Sequence, residues 1–351
     1  MRTVSLGSRK VGDGESVFVI AEAGSNHNRD LKQAFRLIDV AAEAKADCVK
    51  FQTFSAETLY SKKTPSMSYL KDRGLLKGNQ TVWELLKQNE LPREWHKDLS
   101  DYCKKKNLIF LSTPFDLEAV ADLEKVGVPA YKIASYEITH LPLLEEVAKT
   151  GKPVILSTGM ADLTDIETAL DVLYKQNNRQ VVLLHCAINY PPKFSDLNLR
   201  AMVTLKHAFQ VPVGFSDHST GISADIAAVA LGACVIEKHY TTDRKLPGPD
   251  HPFALEPQEL KAMVQGIRET EQALGSPVKR RTPAEEEMYQ LGRRSLVAAK
   301  RIPKGAVIGK EMIAVKRPGF GIPTKMMDVV VGKVANRDIE EDDILIWEMI
   351  S

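Results

Sequence analysis

The feature that most constrains the fold of this chain is a regular alternation of short apolar segments with segments of helical periodicity. Because the apolar runs are nearly continuous rather than alternating, they predict parallel strands that are buried on both faces. There are eight such runs, at residues 17–21, 47–51, 108–112, 130–134, 153–157, 181–185, 211–215 and 234–238. The segments between them predict helices, and in residues 30–44 one apolar face comprises Leu31, Phe35, Ile38 and Ala42.

Eight strand–helix units within about 250 residues predict an α/β fold, a (β/α)₈ TIM barrel. An open doubly wound sheet is the structural alternative, and the lack of a GxGxxG motif after the first strand disfavours it. Beyond Leu274 the sequence becomes charged and then contains short β-rich pieces with many turns. We therefore predict a barrel domain over 1–274, a linker over 275–292 and a small β-rich domain over 293–351.

The composition excludes several classes of protein. A net charge of +1 gives no indication of binding to nucleic acid or to an acidic membrane surface. The four cysteines are widely spaced without a CxxC pair, which argues against a disulfide scaffold or a zinc ribbon and favours a cytoplasmic protein. The N-terminus lacks an apolar core of signal-peptide length, and the apolar run Ile226 to Ile236 is too short to span a membrane.

Polar side chains follow every predicted strand. Active sites of (β/α)₈ enzymes lie at the carboxyl ends of the strands, so these residues are expected to converge. His218 and His239 follow neighbouring strands and can face each other across one rim. The converging residues are Glu22, Lys50, Gln52, Ser112, Thr113, Lys132, Ser135, Glu137, Ser157, His185, Tyr190, Ser216, His218, Glu237 and His239.

Individual residues of this set also have simpler interpretations. A single lysine at a strand end is usually a solvated charge, which is our expectation for Lys238. His185 could equally be a core histidine, and Ser112 and Ser157 could cap the following helices. The joint pattern nevertheless favours chemistry. Lysines and hydroxyl groups suit a phosphate and a carboxylate, and two histidines with open positions suit a catalytic divalent ion.

The connection between the second and third predicted strands, from Thr53 to Asn107, is unusually long. Its first part is polar and rich in lysine, and a helical stretch follows. A long insert at the carboxyl face of a barrel is more often functional than not, so we expect it to contribute to the site.

From about residue 17 to the C-terminus the chain resembles the sialic acid synthase family. The motifs that carry the resemblance are IAEAGSNHN, VKFQ, LSTPFD, YKIASYEI, LSTGMA, HCAINYPP, GFSDHS, IEKHYT, GPDHPFAL, RRSLVA and KRPGFGI. The resemblance implies a barrel followed by an antifreeze-like (β-clip) domain. It also implies condensation of phosphoenolpyruvate with an N-acetylated amino-sugar aldehyde to a nonulosonic acid, with release of phosphate. Legionaminic and pseudaminic acid synthases belong to the same family, and residues 132–144 resemble its spore-coat polysaccharide branch.

The resemblance also implies roles by position. His218 and His239 would bind manganese or magnesium, with Glu237 beside the metal, and we predict Glu22, Glu237 and His218 as catalytic residues. The residues that would hold phosphoenolpyruvate are Lys50, Thr113, Lys132, Ser135, Ser157 and Ser216. Those that would face the sugar or the proton transfers are Glu22, Gln52, Glu137, Tyr190 and Asp250. Arg293 or Arg294 would reach the N-acetyl group from a partner subunit, which implies a domain-swapped homodimer.

Three alternatives stay open at the level of sequence. At strand six, members that use N-acetylmannosamine often have Asn two residues before the Tyr, where this chain has Ile188, and the Asn is shifted to Asn189. The acceptor sugar and the role of Asn189 are therefore open. The second alternative is a Schiff-base aldolase that uses Lys132 or Lys50. The third is a non-catalytic glycan-binding protein built around the small domain.

Overall fold

A computed structural model describes residues 3–65, 70–71, 75–76 and 78–351 of the chain. The chain divides into two compact units, Met1–Gly275 and Ser276–Ser351. None of the helices in the described part of the chain combines the length and the apolar character that a membrane span requires.

The first unit begins with an antiparallel hairpin that the sequence analysis did not predict. Strands β1 (Thr3–Leu6) and β2 (Arg9–Gly12) pair through a turn in which Gly7 has a φ of +60°. Val4, Leu6 and Val11 are buried together with inward-facing apolar residues of the strands that follow. The hairpin therefore packs against the amino-terminal side of the barrel core.

Eight parallel strands form the barrel, and the predicted (β/α)₈ fold is confirmed. The strands are β3 (Phe18–Gly24), β4 (Cys48–Thr53), β5 (Ile109–Pro114), β6 (Tyr131–Ile133), β7 (Val154–Ser157), β8 (Val181–Cys186), β9 (Val213–Asp217) and β10 (Val235–His239). Their order is β5-β4-β3-β10-β9-β8-β7-β6, so that the first barrel strand lies beside the last, as an open doubly wound sheet would not allow. β5 and β6, at the two ends of this order, lie side by side without a ladder of backbone hydrogen bonds between them, so the barrel is nearly closed.

The described helices of this unit follow the expected alternation with the strands. They are α1 (Leu31–Glu43), α2 (Ala56–Leu59), α3 (Val82–Asn89), α4 (His96–Lys105), α5 (Leu117–Val126), α6 (Leu141–Lys149), α7 (Leu163–Lys175), α8 (Ala201–Phe209), α9 (Ser223–Ala230) and α10 (Pro257–Leu274). Aspartates accept hydrogen bonds from free amides at the start of α1, α5 and α7, and these caps are Asp30, Asp116 and Asp162.

The buried face of α1 differs slightly from the prediction. Ile38 is fully buried as expected, together with Ala34, Leu37 and Ala41. The other members of the predicted face, Leu31, Phe35 and Ala42, are half-buried at its edge. The buried stripe is therefore centred about one residue away from the predicted one, which is within the width of an amphipathic helix face.

The insert between β4 and β5 contains α2, α3 and α4. Thr81 and Glu84 form a capping box that starts α3. Leu70, Val82 and Leu85 form a small apolar cluster of their own within the insert. Part of its lysine-rich stretch lies outside the described residues.

The second unit contains two short antiparallel strands with many turns, as the sequence predicted. Its elements are α11 (Glu286–Gly292), β11 (Ser295–Ala298), β12 (Ile313–Lys316) and α12 (Met327–Val330). Isolated bridges join the remaining loops, and a compact apolar core includes Leu296, Ile302, Ile308, Ile339 and Leu345.

Candidate active site

A cavity of about 410 Å³ opens at the carboxyl ends of the barrel strands. It brings together the site residues that the sequence predicted within the barrel. These are Glu22, Lys50, Gln52, Thr113, Lys132, Ser135, Glu137, Ser157, Tyr190, Ser216, His218, Glu237, His239 and Asp250.

Lys50 lies at the centre of a buried polar network. Its Nζ lies 2.8 Å from Oε2 of Glu22 and donates a 2.9 Å hydrogen bond to Oγ1 of Thr113. Glu22 in turn accepts a 2.8 Å hydrogen bond from Nε2 of Gln52. Glu22 and Lys50 are partners in the register of β3 and β4, and so the parallel ladder itself brings the two charges together.

Glu237 joins the two lysines. Its Oε1 lies 3.4 Å from Lys132 Nζ and accepts a 2.8 Å hydrogen bond from Ser216, its register partner on β9. Its Oε2 lies 3.8 Å from Lys50 Nζ. Burial raises the pKa of Glu237, but the charges of Lys132 and Lys50 outweigh burial and bring the pKa below its usual range. Glu237 is therefore a fixed carboxylate between two ammonium groups.

The two lysines differ in their electrostatic environments. Burial opposes the charged form of Lys50, but Glu22 and Glu237 overcome it and raise the pKa. Burial lowers the pKa of Lys132, and Glu237 offsets only part of that effect. The charge of Lys132 is therefore incompletely balanced by the protein, and a bound anion would stabilise it.

Two carboxyl groups in the cavity are suited to proton exchange near neutral pH. Burial raises the pKa of Glu22 to about 7 despite the charge of Lys50. Burial raises the pKa of Glu137 to about 8, with Lys132 opposing. Oε2 of Glu137 and Oγ of Ser157 are buried without a hydrogen-bond partner among the described residues. Both atoms are therefore available to a ligand.

His218 and His239 face each other as predicted, with ring centroids 5.3 Å apart. Nδ1 of His218 lies 3.3 Å from the carbonyl oxygen of Ala187. Nδ1 of His239 has no hydrogen-bond partner among the described residues and lies 3.8 Å from Oδ2 of Asp250. Burial lowers the pKa of both imidazoles to about 3, so they are neutral at pH 7 with lone pairs to offer.

Gly24 allows this part of the site to pack closely. Its φ is +50°, and a Cβ there would lie 2.8 Å from Oδ2 of Asp250 and 3.3 Å from Cε1 of His239. Ser25 holds the same Asp250 oxygen with a 3.1 Å hydrogen bond from its hydroxyl group. The glycine and the serine together fix Asp250 beside the histidine.

One wall of the cavity is apolar, and the insert supplies most of it. The sequence predicted a helical stretch in the insert, but it did not predict which residues form this wall. They are Phe54, Leu59, Tyr60, Leu70, Val82, Leu85, Leu86 and Phe115. The insert therefore contributes directly to the site, as its length suggested.

Some strand-end residues lie elsewhere. Lys238 was expected to be a solvated charge, and this was wrong, because it is 1% exposed and paired with Asp217 behind the strand. His185 binds the carbonyl oxygen of Leu197 at 2.7 Å as a structural residue. Ser112 binds Thr53 rather than capping a helix. Asn189 is exposed and does not line the cavity.

Ser157 does not cap a helix either, because Asp162 caps the helix that follows it. Seven further residues that line the cavity in the described part of the chain were missed. They are Ser25, Asn89, Ala134, Tyr136, Cys186, Ile188 and Pro249. Cys186 and Ile188 lie within a strand-six motif that the sequence analysis had noted, but nothing in their residue types indicated which of them faces inward.

Comparison with known proteins decides the family. The sequence pattern of the NeuB family matches residues 37–279, and that of the SAF domain matches residues 293–351. This chain belongs to the NeuB family. It is 44% identical to the N,N'-diacetyllegionaminic acid synthase of Campylobacter jejuni, over 94% of this chain and 99% of that protein. It is 35% identical to the human N-acetylneuraminate-9-phosphate synthase, over 97% and 95% of the two chains.

A solved structure supports membership of the NeuB family at the level of the fold. The crystal structure of the Bacillus subtilis spore coat polysaccharide biosynthesis protein SpsE is 40% identical to this chain. It matches with a TM-score of 0.68 over 100% of this chain and 99% of that one. The resemblance that the sequence motifs indicated is thus confirmed, including the SAF, or antifreeze-like, domain.

Arg293 and Arg294, which the NeuB resemblance implied as sugar ligands, belong to the second unit. Both are exposed, and the Arg293 guanidinium lies 4.6 Å from the ring centroid of Tyr289 in the same unit. No arginine is among the described residues that line the barrel cavity. Their role in binding a sugar stays a prediction.

Proposed function

We propose that this protein condenses phosphoenolpyruvate with an N-acetylated amino-sugar aldehyde to form a nonulosonic acid and inorganic phosphate. The observation that carries the proposal is the pair of buried lysines, Lys50 and Lys132, on either side of Glu237 in a cavity rich in hydroxyl groups. Phosphoenolpyruvate carries a phosphate and a carboxylate on three carbons. Two ammonium groups and several hydroxyl donors match that charge distribution. The names of the relatives support the same reaction class.

The bond changes follow from the chemistry of an enol phosphate. The C2–C3 π pair attacks the aldehyde carbon, and the aldehyde oxygen takes up a proton. Water adds to the resulting cationic C2 and loses a proton. The C2–O bond of the tetrahedral intermediate then breaks, and the bridging oxygen leaves with phosphate. At the same time the C2 hydroxyl oxygen forms the C=O bond of the 2-keto acid and its proton passes to the phosphate. Carbon, phosphorus and electrons balance without an oxidant or reductant.

The residues of the chain have distinct roles in this sequence. Lys50 and Lys132 hold the phosphate and the carboxylate, assisted by Thr113 and Ser216. Glu22 is held by Lys50 and Gln52, and with a pKa of about 7 its ionised form is available at neutral pH to stabilise positive charge at C2. Glu137 is protonated at neutral pH and donates a proton within the cavity.

His218 and His239 fit a divalent ion, Mn²⁺ or Mg²⁺. Both imidazoles are neutral, and Nδ1 of His239 is buried without a partner among the described residues. No group of three or more His, Cys, Asp or Glu side chains gathers at metal-binding spacing in the described part of the chain. The protein would thus supply two ligands and leave positions open. The chemistry that a bound ion supplies is polarisation of the aldehyde oxygen.

The apolar wall bears on the choice between N-acetylmannosamine and a 2,4-diacetamido sugar. A second acetamido group ends in a methyl, and the wall formed by Val82, Leu85 and their neighbours can bury it. Burial of one methyl contributes about 0.8 kcal/mol, or roughly fourfold in KM. We therefore propose the 2,4-diacetamido aldehyde as the preferred acceptor.

A Schiff-base aldolase is the second candidate, and one observation favours it. Burial lowers the pKa of Lys132, which is a property of nucleophilic lysines. In that mechanism, borohydride would trap substrate on Lys132, and chelation of metal would have no effect. A non-catalytic glycan-binding protein would leave the buried charge network of the cavity without a role.

A phosphate-release assay tests the proposal. Phosphoenolpyruvate is incubated with the protein and a panel of aldehydes that includes N-acetylmannosamine and a 2,4-diacetamido hexose. We expect phosphate release only when both substrates are present, with loss of release after chelation. Release without an acceptor, or trapping by borohydride, would contradict the proposal.

A further inference from the structure

The sequence places Asp217 directly before His218 and Lys238 directly before His239, on the neighbouring strands β9 and β10. Their ladder pairs Glu237 with Ser216 and Lys238 with Asp217. Successive side chains of a strand point to opposite faces. Glu237 and Ser216 accordingly meet inside the cavity, while Lys238 and Asp217 meet behind the sheet. The next pair in this alternation is His239 and His218, which face each other in the cavity.

The pair formed by Asp217 and Lys238 also fixes the backbone of Ser219, the residue that follows His218. Lys238 Nζ forms an ion pair with Asp217 and donates a 2.7 Å hydrogen bond to the carbonyl oxygen of Ser219. Asp217 accepts a 2.8 Å hydrogen bond from the amide of Ser219 and a 2.9 Å hydrogen bond from its hydroxyl group. The residues before and after His218 are therefore both tied to the residue that precedes His239.

The burial of this pair is complete. Lys238 and Asp217 are each 1% exposed. Among the described residues, the only other acidic side chain within ion-pair distance of Lys238 is Asp225 in α9, 3.4 Å away. Buried ion pairs give little net stability, because desolvation offsets their attraction and apolar residues often do as well. A role in fixing geometry therefore explains the pair better than a role in stability.

We propose that Asp217 and Lys238 are positioning residues, which set the separation of the His218 and His239 imidazoles and thereby the affinity for a divalent ion. The inference rests on the metal site of the proposed function. Removing a partner that orients a metal ligand typically lowers metal affinity by about 10- to 100-fold. Here the orientation acts through the backbone of the two strand ends rather than through a contact with the rings.

The test measures Mn²⁺ binding to the full chain by isothermal titration calorimetry, without substrates. The variants are Lys238→Met, Asp217→Asn and the double variant Asp217→Asn/Lys238→Met. His239→Ala serves as the ligand-loss reference. Arg268→Met is the matched control, because Arg268 forms a 3.0 Å ion pair with Asp47 at the amino end of the barrel strands. The Tm of each variant is measured in parallel.

We expect each single variant to raise the Kd for Mn²⁺ by about 10-fold or more, and Arg268→Met to leave it unchanged. The double variant removes the unpaired Asp217 carboxylate that Lys238→Met leaves, and so its Tm should recover relative to Lys238→Met. Its Kd should stay raised, because the link between the strand ends is still missing. That separation of Tm from Kd is a result that a purely structural role would not produce.

The contradicting results are distinct. If the wild type does not bind Mn²⁺, or if His239→Ala binds it as tightly as the wild type, the metal site is wrong and this inference falls with it. If those two proteins behave as expected but Lys238→Met and Asp217→Asn bind with wild-type affinity, the positioning role alone is wrong. Recovery of Kd together with Tm in the double variant would also overturn it.

Discussion

Lys132 Nζ lies 3.4 Å from Oε1 of Glu237 at the base of the barrel cavity, and burial lowers the pKa of this lysine. Glu237 only partly compensates the positive charge of Lys132, and a bound anion would supply the remaining compensation. Replacing it by Met in Lys132→Met should raise the KM for phosphoenolpyruvate by about 10- to 100-fold, the typical value of a hydrogen bond to a charged group. The KM for the sugar should change much less.

Steady-state kinetics with each substrate varied in turn measure this difference. Lys152→Met is the control, because Lys152 pairs with Glu124 and does not line the cavity. An equal change in both Michaelis constants for Lys132→Met would show that the lysine does not bind the anion.

Gly24 provides a test of the packing beside His239. In Gly24→Ala the new Cβ would lie 2.8 Å from Oδ2 of Asp250, so that Asp250 and His239 must shift. Gly127→Ala is a matched control, because Gly127 also has a positive φ, of +77°, but open space around it. Both variants carry the same kind of backbone strain, which costs about 1 kcal/mol of stability, and Gly24→Ala also carries the cost of shifting Asp250 and His239.

Only Gly24→Ala should lose activity, by about 10-fold or more in kcat, because a displacement of this size in a catalytic site is costly. Thermal unfolding and kcat, measured on both variants, separate the two effects. If kcat falls equally in the two variants, the loss comes from strain and the close packing at Gly24 has no functional role.

The raised pKa of Glu137 predicts that the stability of the folded protein falls as the pH rises. Burial raises its pKa from an ordinary value of 4.5 to about 8 in the folded protein. Between these two values only the folded state holds the proton, so that the wild type loses stability as the pH rises. The slope is at most about 1.4 kcal/mol per pH unit.

Glu137→Gln removes this loss because the amide does not titrate. Its stability relative to the wild type should therefore increase from pH 5 to pH 8. Chemical denaturation of both proteins at these two pH values measures the difference. If the difference in unfolding free energy between the two proteins is the same at both pH values, the pKa of the Glu137 carboxyl group is not raised in the folded state.

The role implied for Arg293 and Arg294 leads to a complementation experiment. If a small domain serves the barrel of a partner subunit, mixing His239→Ala with Arg294→Ala should restore part of the activity. One of the two sites in a mixed dimer would then carry both intact groups. Each variant mixed with itself is the control. Mixing that restores nothing, although mixed dimers are present, would exclude this arrangement or the role of Arg294.

Much of the barrel and its site followed from periodicity. Near-continuous apolar runs define buried parallel strands, and the topology then brings their polar ends together, so that Lys50, Lys132 and His239 could be assigned to one cavity. The sequence could also have predicted that the side chain of Lys238 points away from the cavity. The residues at 237 and 239 face inward, and alternation along a strand requires the residue between them to face outward.

Other features depend on contacts that sequence spacing does not encode. The hairpin over 3–12 has only two short strands, and its role comes from packing Leu6 and Val11 against a distant barrel core. The apolar wall likewise depends on how the insert folds over the strand ends. Val82 and Leu85 have a helical spacing, but that spacing does not indicate which surface they cover.

The measurement that most directly tests the central claim follows the bridging oxygen of phosphoenolpyruvate. The protein is incubated with a 2,4-diacetamido aldehyde, Mn²⁺ and phosphoenolpyruvate labelled with ¹⁸O at the bridging position, and the phosphate is analysed by mass spectrometry. Condensation with C–O cleavage predicts that the label appears in the phosphate, in an amount equal to the nonulosonic acid formed. Unlabelled phosphate, or phosphate without a condensation product, would contradict the account.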